Sequence, residues 1–318
     1  MKTKRAALFD GALAADLVDD TGHILIAGKS GMGKTQLMVG VALAKLGNPR
    51  WGVQVVDPEG EISAICLDHS ANPRNGLMWR SIHYFRATSV TDAFAIPLLH
   101  VRVRAPQPCH EAAVRTRSVL EQAVNFGSGE YGPRLSKLLH LGCYGLALTG
   151  RPLIDLPHLY TLGAAHLRSL VGDAFPYEFM TEEWRSLDVL AERNATRFLE
   201  YCESITSRLM PIFGNERLRR IFGPQPPIDV AQILQNREAA FLDLAGLEHK
   251  DAVLVGTAYI SVLYHEALQR PPNQSPHACV MVDEVFDYMT PDLARGFDRL
   301  RKRNIQLCVA IQRLSQLS

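Results

Sequence analysis

The run Gly28-Lys29-Ser30-Gly31-Met32-Gly33-Lys34-Thr35 carries the densest chemistry in this 318-residue sequence. It fits G-x-x-x-x-G-K-[ST] at every position, the pattern of a phosphate-binding loop. Its glycines permit a tight turn whose backbone N–H groups face an anion, and the helix that follows adds positive potential at its N-terminus. Lys34 is placed to reach the β- and γ-phosphates of a nucleotide, and the Thr35 hydroxyl to ligate magnesium. Lys29, Ser30, Met32 and Gln36 complete the candidate contacts. ATP and Mg2+ are therefore the expected ligands. The bland alternative is a glycine-rich turn that holds nothing; an apolar run before the loop and a helical pattern after it argue against that.

A second chemical group follows the apolar run Cys279–Val282, where Asp283 and Glu284 stand side by side. Open α/β sheets place ligands at the C-terminal ends of their strands. Asp283 would hold magnesium through its water shell, and Glu284 would orient or deprotonate the attacking water. An apolar run ending in two acids is common; its pairing with the upstream loop, on a strand expected to neighbour it, gives it meaning. Glu284 favours turnover over mere binding. Gln312 follows the run QLCVAI and is a candidate γ-phosphate sensor or water-positioning group, against the alternative of a solvated loop residue.

These groups need a scaffold, and the apolar runs supply one. HILIA (23–27), VQVVD (53–57), AAFLDLA (239–245), ACVMVD (278–283) and QLCVAI (306–311) lack clean alternation, as strands buried on both faces of a parallel sheet do. SIHYFRA (81–87) is a weaker sixth. Leu37, Val41 and Ala44, flanked by Met38 and Ala42, predict a helix stopped by Gly47, which makes a strand–helix–strand unit with the first two runs. From about Cys109 to Phe222 helical spacing replaces strand-like runs, and the Pro-rich GPQPPID (223–229) returns the chain to the sheet. The expected fold class is α/β, a mostly parallel sheet with an inserted α-helical subdomain. Its parts are 1–108 and 223–318 as the nucleotide core and 109–222 as the insertion.

Composition narrows the class further. Hydrophobic residues make up 47% of the chain, enough for a well-packed core, and the net charge of +1 makes any basic surface local. The six cysteines are scattered without a C-x-x-C pair, so neither a zinc site nor a disulfide framework is expected. The basic start MKTKR acquires acids too early for a signal peptide, and no run is long enough for a membrane helix. The expected location is the cytoplasm, or the membrane periphery through a partner.

Several segments together resemble the FtsK/HerA superfamily of DNA-pumping ATPases, nearest to its conjugative coupling-protein and HerA-like side. Val56-Asp57-Pro58-Glu59-Gly60-Glu61 is similar to a D-P-x-G-E signature of that group. Residues 132–160 resemble its helical insertion, and 215–246 the stretch leading to the strand before Asp283. Asp283-Glu284, Arg301-Lys302 and Ile311-Gln312 resemble a D-E…R-K…Q arrangement. The resemblance spans about residues 22–317 and implies a RecA-like P-loop NTPase core. It favours the sensor role for Gln312 and places Asp57, Glu59 and Glu61 near the nucleotide; a turn set by Pro58 and Gly60 is their alternative. It also implies a homo-oligomeric, hexameric ring in which a neighbour's arginine completes the site. Arg219, Arg220 and Arg301 are the candidates, against solvated helix faces. Three departures stand out. About 20 residues precede the loop, leaving no room there for the relatives' membrane segment or barrel. Phe94-Ala95-Ile96-Pro97-Leu98 stands where relatives often have F-N-P-L. The chain stops six residues after Gln312, where such a sheet continues.

The function implied is a DNA translocase that grips phosphates without sequence readout; no helix-turn-helix or zinc-finger pattern is present. Two alternatives are an ATPase for assembly or protein export in a secretion machine, and a non-motor ATP-binding ring subunit of a defence complex with an effector partner.

Overall fold

A computed structural model describes residues 21–29, 31–125, 132–289 and 299–311. The chain opens with β1 (Ile24–Ala27), α1 (Lys34–Leu46), β2 (Trp51–Asp57), α2 (Glu61–Ala71) and β3 (Ile82–Arg86). A helical stretch follows: α3 (Pro106–Asn125), α4 (Pro133–Thr149), α5 (Ala165–Asp173), α6 (Glu178–Arg193), α7 (Ala195–Phe213) and α8 (Glu216–Ile221). The chain then forms α9 (Val230–Gln235), β4 (Ala239–Asp243), α10 (His249–Gln269), β5 (His277–Val282) and β6 (Ile305–Ile311). Its contacts divide it into two units, one made of the residues up to Asp92 with those from Asp229 onward, the other of Ala93–Ile228.

The first unit is a six-stranded sheet in the order β1-β6-β5-β2-β4-β3, with every pairing parallel. The five apolar runs all become strands, and the weaker SIHYFRA becomes the edge strand β3. Burial on both faces explains the missing alternation. In β5, Cys279 and Met281 join the core under α1 and α2, while Val280 and Val282 line a cavity with Ile260 and Leu263 of α10. The polar Gln54 is tolerated inside β2 because its Oε1 accepts from Tyr259 Oη of α10 at 2.8 Å.

Two expectations need correction. β6 stands between β1 and β5, so the strand carrying Asp283 does not neighbour the loop strand; β1 and β2, flanking α1, are separated by both β6 and β5. Uniformly apolar strands carry no pattern that fixes adjacency, which is set by how the helices pack. The buried face of α1 is also turned from the one expected. Met38, Val39, Val41, Ala42, Lys45 and Leu46 are buried, whereas Leu37 and Ala44 are only partly covered. Lys45 is tolerated there because its ammonium lies 3.3 Å from the centre of the Trp51 ring.

The second unit is helical, apart from a parallel bridge joining Ala95 to Pro227. Ala95 N donates to Pro226 O and Ile228 N to Ala95 O, so the unit's entry and exit are tied together. The segment that departs from F-N-P-L is thus one side of this bridge. Trp184 centres the interior, donating to Arg168 O at 2.8 Å; the buried Arg168 guanidinium meets Asp188 at 2.5 Å. All six cysteines are free and buried. Among the described residues no group of His, Cys, Asp and Glu is placed to hold a metal, and no helix is long and apolar enough to cross a membrane.

Candidate nucleotide site

Because every strand runs the same way, all six C-terminal ends fall on one edge of the sheet, and the glycine loop, the D-P-E-G-E turn and Asp283–Glu284 collect there. The loop leaves β1, with Gly28 N donating to Ile311 O of β6 at 3.2 Å. Gly31 (φ 78°) and Gly33 (φ 87°) adopt left-handed backbone that L side chains rarely take, and a Cβ built on either would meet only open space. α1 starts at Lys34 with no side-chain cap and no acid in its first turn. By contrast α7, α8 and α9 are capped by Asn194, Asn215 and Asp229. An uncapped N-terminus behind an open glycine turn leaves N–H donors and positive potential for an anion, so these residues fit the phosphates of a nucleotide. Lys34 Nζ rests 3.5 Å from Lys29 O, within the loop itself. Gln36 Nε2 donates to Glu61 Oε1 at 3.4 Å, which joins the loop helix to the D-P-E-G-E turn.

Asp283 and Glu284 emerge two strands away from β1, a separation of about 10 Å. Burial raises the Asp283 carboxyl above its ordinary value, and the charges of Glu284 and Asp57 add to this. The Glu284 N–H (3.0 Å) and the Lys34 ammonium oppose it. Asp283 therefore feels the loop lysine from one side and the D-P-E-G-E turn from the other. Glu284 sits at φ 53°, one of four non-glycine residues with positive φ among those described. Such backbone concentrates at sites where a side chain must be aimed.

Asp57 ends β2 and is 2% exposed. Its carboxylate accepts from Gly60 N at 3.0 Å and Ser63 N at 2.7 Å, capping α2. Glu59 and Glu61 are exposed on the same turn. Burial, aided by Asp243, raises the Asp57 carboxyl. A carboxyl raised on folding contributes stability that is present below its unfolded value of about 3.9 and lost as pH rises through the folded value. The melting temperature of Asp57→Asn, measured from pH 4 to 8, is thus expected to gain on the wild type as pH rises.

Sequence reasoning missed Asp243, the register partner of Asp57 at the end of β4. It accepts from Tyr84 Oη at 2.5 Å and Ala245 N at 2.9 Å, with Arg86 Nε at 3.8 Å. Burial and the bond to Asp243 push the Tyr84 hydroxyl up to about 12. The signal was available: AAFLD ends in an acid as VQVVD and ACVMVD do.

The remaining predicted residues fall elsewhere. Ser30 and Gln312 lie outside the described residues. Arg301, at the end of a short helical stretch, and Lys302, in the turn before β6, are exposed at the sheet edge opposite the loop. Arg219 and Arg220 belong to α8 in the helical unit, where Arg219 donates to Phe213 O at 3.2 Å and Arg220 pairs with Glu216 at 2.5 Å.

The same architecture occurs in bacterial conjugative coupling protein TrwB. In complex with the non-hydrolysable GTP analogue GDPNP, TrwB superposes with a TM-score of 0.65 at 17% identity over 95% of this chain. The chain shares its fold with TrwB. TrwB with ADP and Mg2+ gives the same TM-score and identity, and VirB4 of Thermoanaerobacter pseudethanolicus gives 0.57 at 16% identity over 93% of this chain. The expected resemblance is met at the level of fold, as a RecA-like P-loop core with a parallel sheet. No family model and no curated protein matches the sequence. The chain spans 63–66% of the length of the TrwB chains and 71% of VirB4.

Proposed function

We propose that this chain is a magnesium-dependent ATP hydrolase that works as a motor moving DNA. The observation that carries the reading is the convergence on one sheet edge of the uncapped glycine loop, Lys34, and the Asp283–Glu284 pair with its left-handed backbone. The loop N–H groups and Lys34 bind the triphosphate, while Thr35 and Asp283 hold magnesium. Magnesium held there would supply positive charge that offsets the charge developing on the transferred phosphoryl group. Glu284 takes the proton of the attacking water, and Gln312 positions that water or senses the γ-phosphate. In this reading 1–108 and 223–318 belong in sequence to the ATPase core and 109–222 is its helical insertion.

In this reading the protein assembles as a hexameric homo-oligomeric ring in the cytoplasm, meeting the membrane only through a partner. Arg301, Arg219 or Arg220 then completes a neighbour's site. Arg301 suits that role because it is exposed and on the sheet edge away from its own loop. The likeness to TrwB, a conjugative coupling protein by name, supports DNA as cargo. The likeness to VirB4 favours a second reading, an ATPase for secretion-machine assembly or protein export.

Steady-state ATPase, measured with and without single- and double-stranded DNA alongside a native mass, tests the proposal. A DNA-stimulated rate that falls steeply with salt is expected. A rate indifferent to DNA but raised by a protein partner favours the export reading. Tight binding without turnover refutes both motors and points to a non-motor ring subunit.

A further inference from the structure

The sheet edge opposite the nucleotide loop carries an open pocket of about 490 Å³ that the hydrolase reading does not use. It is assembled where four strands begin. Arg50 precedes β2, Arg237 precedes β4, His277 opens β5 and Asn304 precedes β6; Asn273 and Ser275 complete the wall. No Asp or Glu lines it, and among the described residues neither Arg50 nor Arg237 has a carboxylate partner. Glu238, the nearest acid in sequence, is held by His83 Nε2 at 2.7 Å and Asn236 Nδ2 at 3.1 Å.

Three features separate this pocket from an ordinary solvated basic surface. First, Arg237 (φ 57°), Asn273 (φ 59°) and Asn304 (φ 58°) are three of the four described non-glycine residues with positive φ; the fourth is Glu284. Gly52 lets Arg237 take its place, because a Cβ there would come within 3.2 Å of the Arg237 Cα. Second, the wall holds unmet polar atoms. His277 Nδ1 is buried without a protein partner, as are Nε and Nη1 of Arg270, which is 9% exposed behind the wall and bonds the Pro276 carbonyl through Nη2. Third, the field has one sign. Burial lowers the His277 pKa, and Arg50, Lys45, Arg237 and Arg270 lower it further. The exposed Arg301 and Lys302 stand beside it, the Lys302 carbonyl accepting from Asn273 N at 2.9 Å.

We propose that this pocket is a second anion site, which binds phosphate groups through Arg50, Arg237 and His277. Planar guanidinium forks match phosphate oxygens in pairs, and a region without carboxylates favours an oxyanion over a cation. The ligand is either a phosphodiester of a nucleic-acid backbone or a small free phosphate. The site is separate from the nucleotide loop and does not depend on the hydrolase reading.

The test is calorimetric titration of the whole chain with inorganic phosphate and, separately, with a 20-nucleotide oligothymidylate, in the presence of saturating Mg·ADP. The double variant Arg50→Gln, Arg237→Asn is compared with wild type; asparagine tolerates the left-handed backbone at 237. Affinity is expected to fall at least about tenfold, the loss of one charge-assisted hydrogen bond, with melting temperature and Mg·ADP affinity unchanged. Loss confined to the oligonucleotide assigns the site to backbone phosphates, and loss confined to phosphate assigns it to a small anion. Unchanged affinity for both overturns the proposal, as does wild-type binding of polyglutamate but of neither phosphate probe. Should the double variant fail to fold, Arg50→Glu alone, at an exposed loop position, is expected to show the same loss; unchanged affinity in that variant overturns the proposal equally.

Discussion

Lys34→Ala is expected to lower ATP turnover by about 10²–10³-fold, the usual cost of deleting one preorganised donor aimed at developing charge. The lysine opens α1 directly behind the left-handed Gly33, and its ammonium rests against Lys29 O at 3.5 Å within the glycine loop. That carbonyl contact is weak and is readily exchanged for phosphate oxygens. The same ammonium also lowers the Asp283 carboxyl toward its charged form. If the proposed roles hold, its loss removes both a phosphate contact and a charge that favours ionised Asp283, so nucleotide affinity is expected to fall along with turnover. α1 keeps its buried face of Met38, Val41, Ala42 and Leu46, and alanine favours helix, so the melting temperature should hold. Equilibrium nucleotide binding and steady-state ATPase check both arms; wild-type turnover would remove Lys34 from the site.

Glu284→Gln separates binding from chemistry. An amide of the same shape cannot take a proton, so turnover is expected to fall by about 10²–10⁴-fold, the usual contribution of a general base. The backbone N–H from residue 284 to Asp283 Oδ1 survives the change, and with it the orientation of the Asp283 carboxylate. Mg·ATP affinity should therefore stay within about twofold, and the variant should accumulate as an ATP-bound species in single-turnover experiments. Turnover at the wild-type rate would show that the base lies elsewhere.

Much of the site was legible because its signals are local. Gly28–Thr35 is one contiguous string whose geometry follows from glycine and a helix start. Five of the six strands announced themselves as apolar runs and the edge strand β3 only weakly, and the acids of β2 and β5 sit where such runs end. Asp243 escaped because a single acid after an apolar run gains meaning only from its neighbour: opposite Asp57 it receives Tyr84 and Arg86. The buried face of α1 was read out of phase because Trp51 draws Lys45 inward, a cation–π contact that a hydrophobic count scores as polar.

By itself, then, the sequence determined the glycine-rich loop before a helix, the acids at the ends of β2 and β5, the parallel α/β class and the change to helices, since each depends on residues close together in the chain. The tertiary structure decided the strand order, which inserts β6 between the loop strand and the strand of Asp283. It also decided the cationic pocket, drawn from the starts of four strands that lie as far apart in sequence as Arg50 and Asn304. Strands apolar on both faces carry no code for their neighbours. Adjacency, and everything built on it, is set by the packing of helices above and below the sheet.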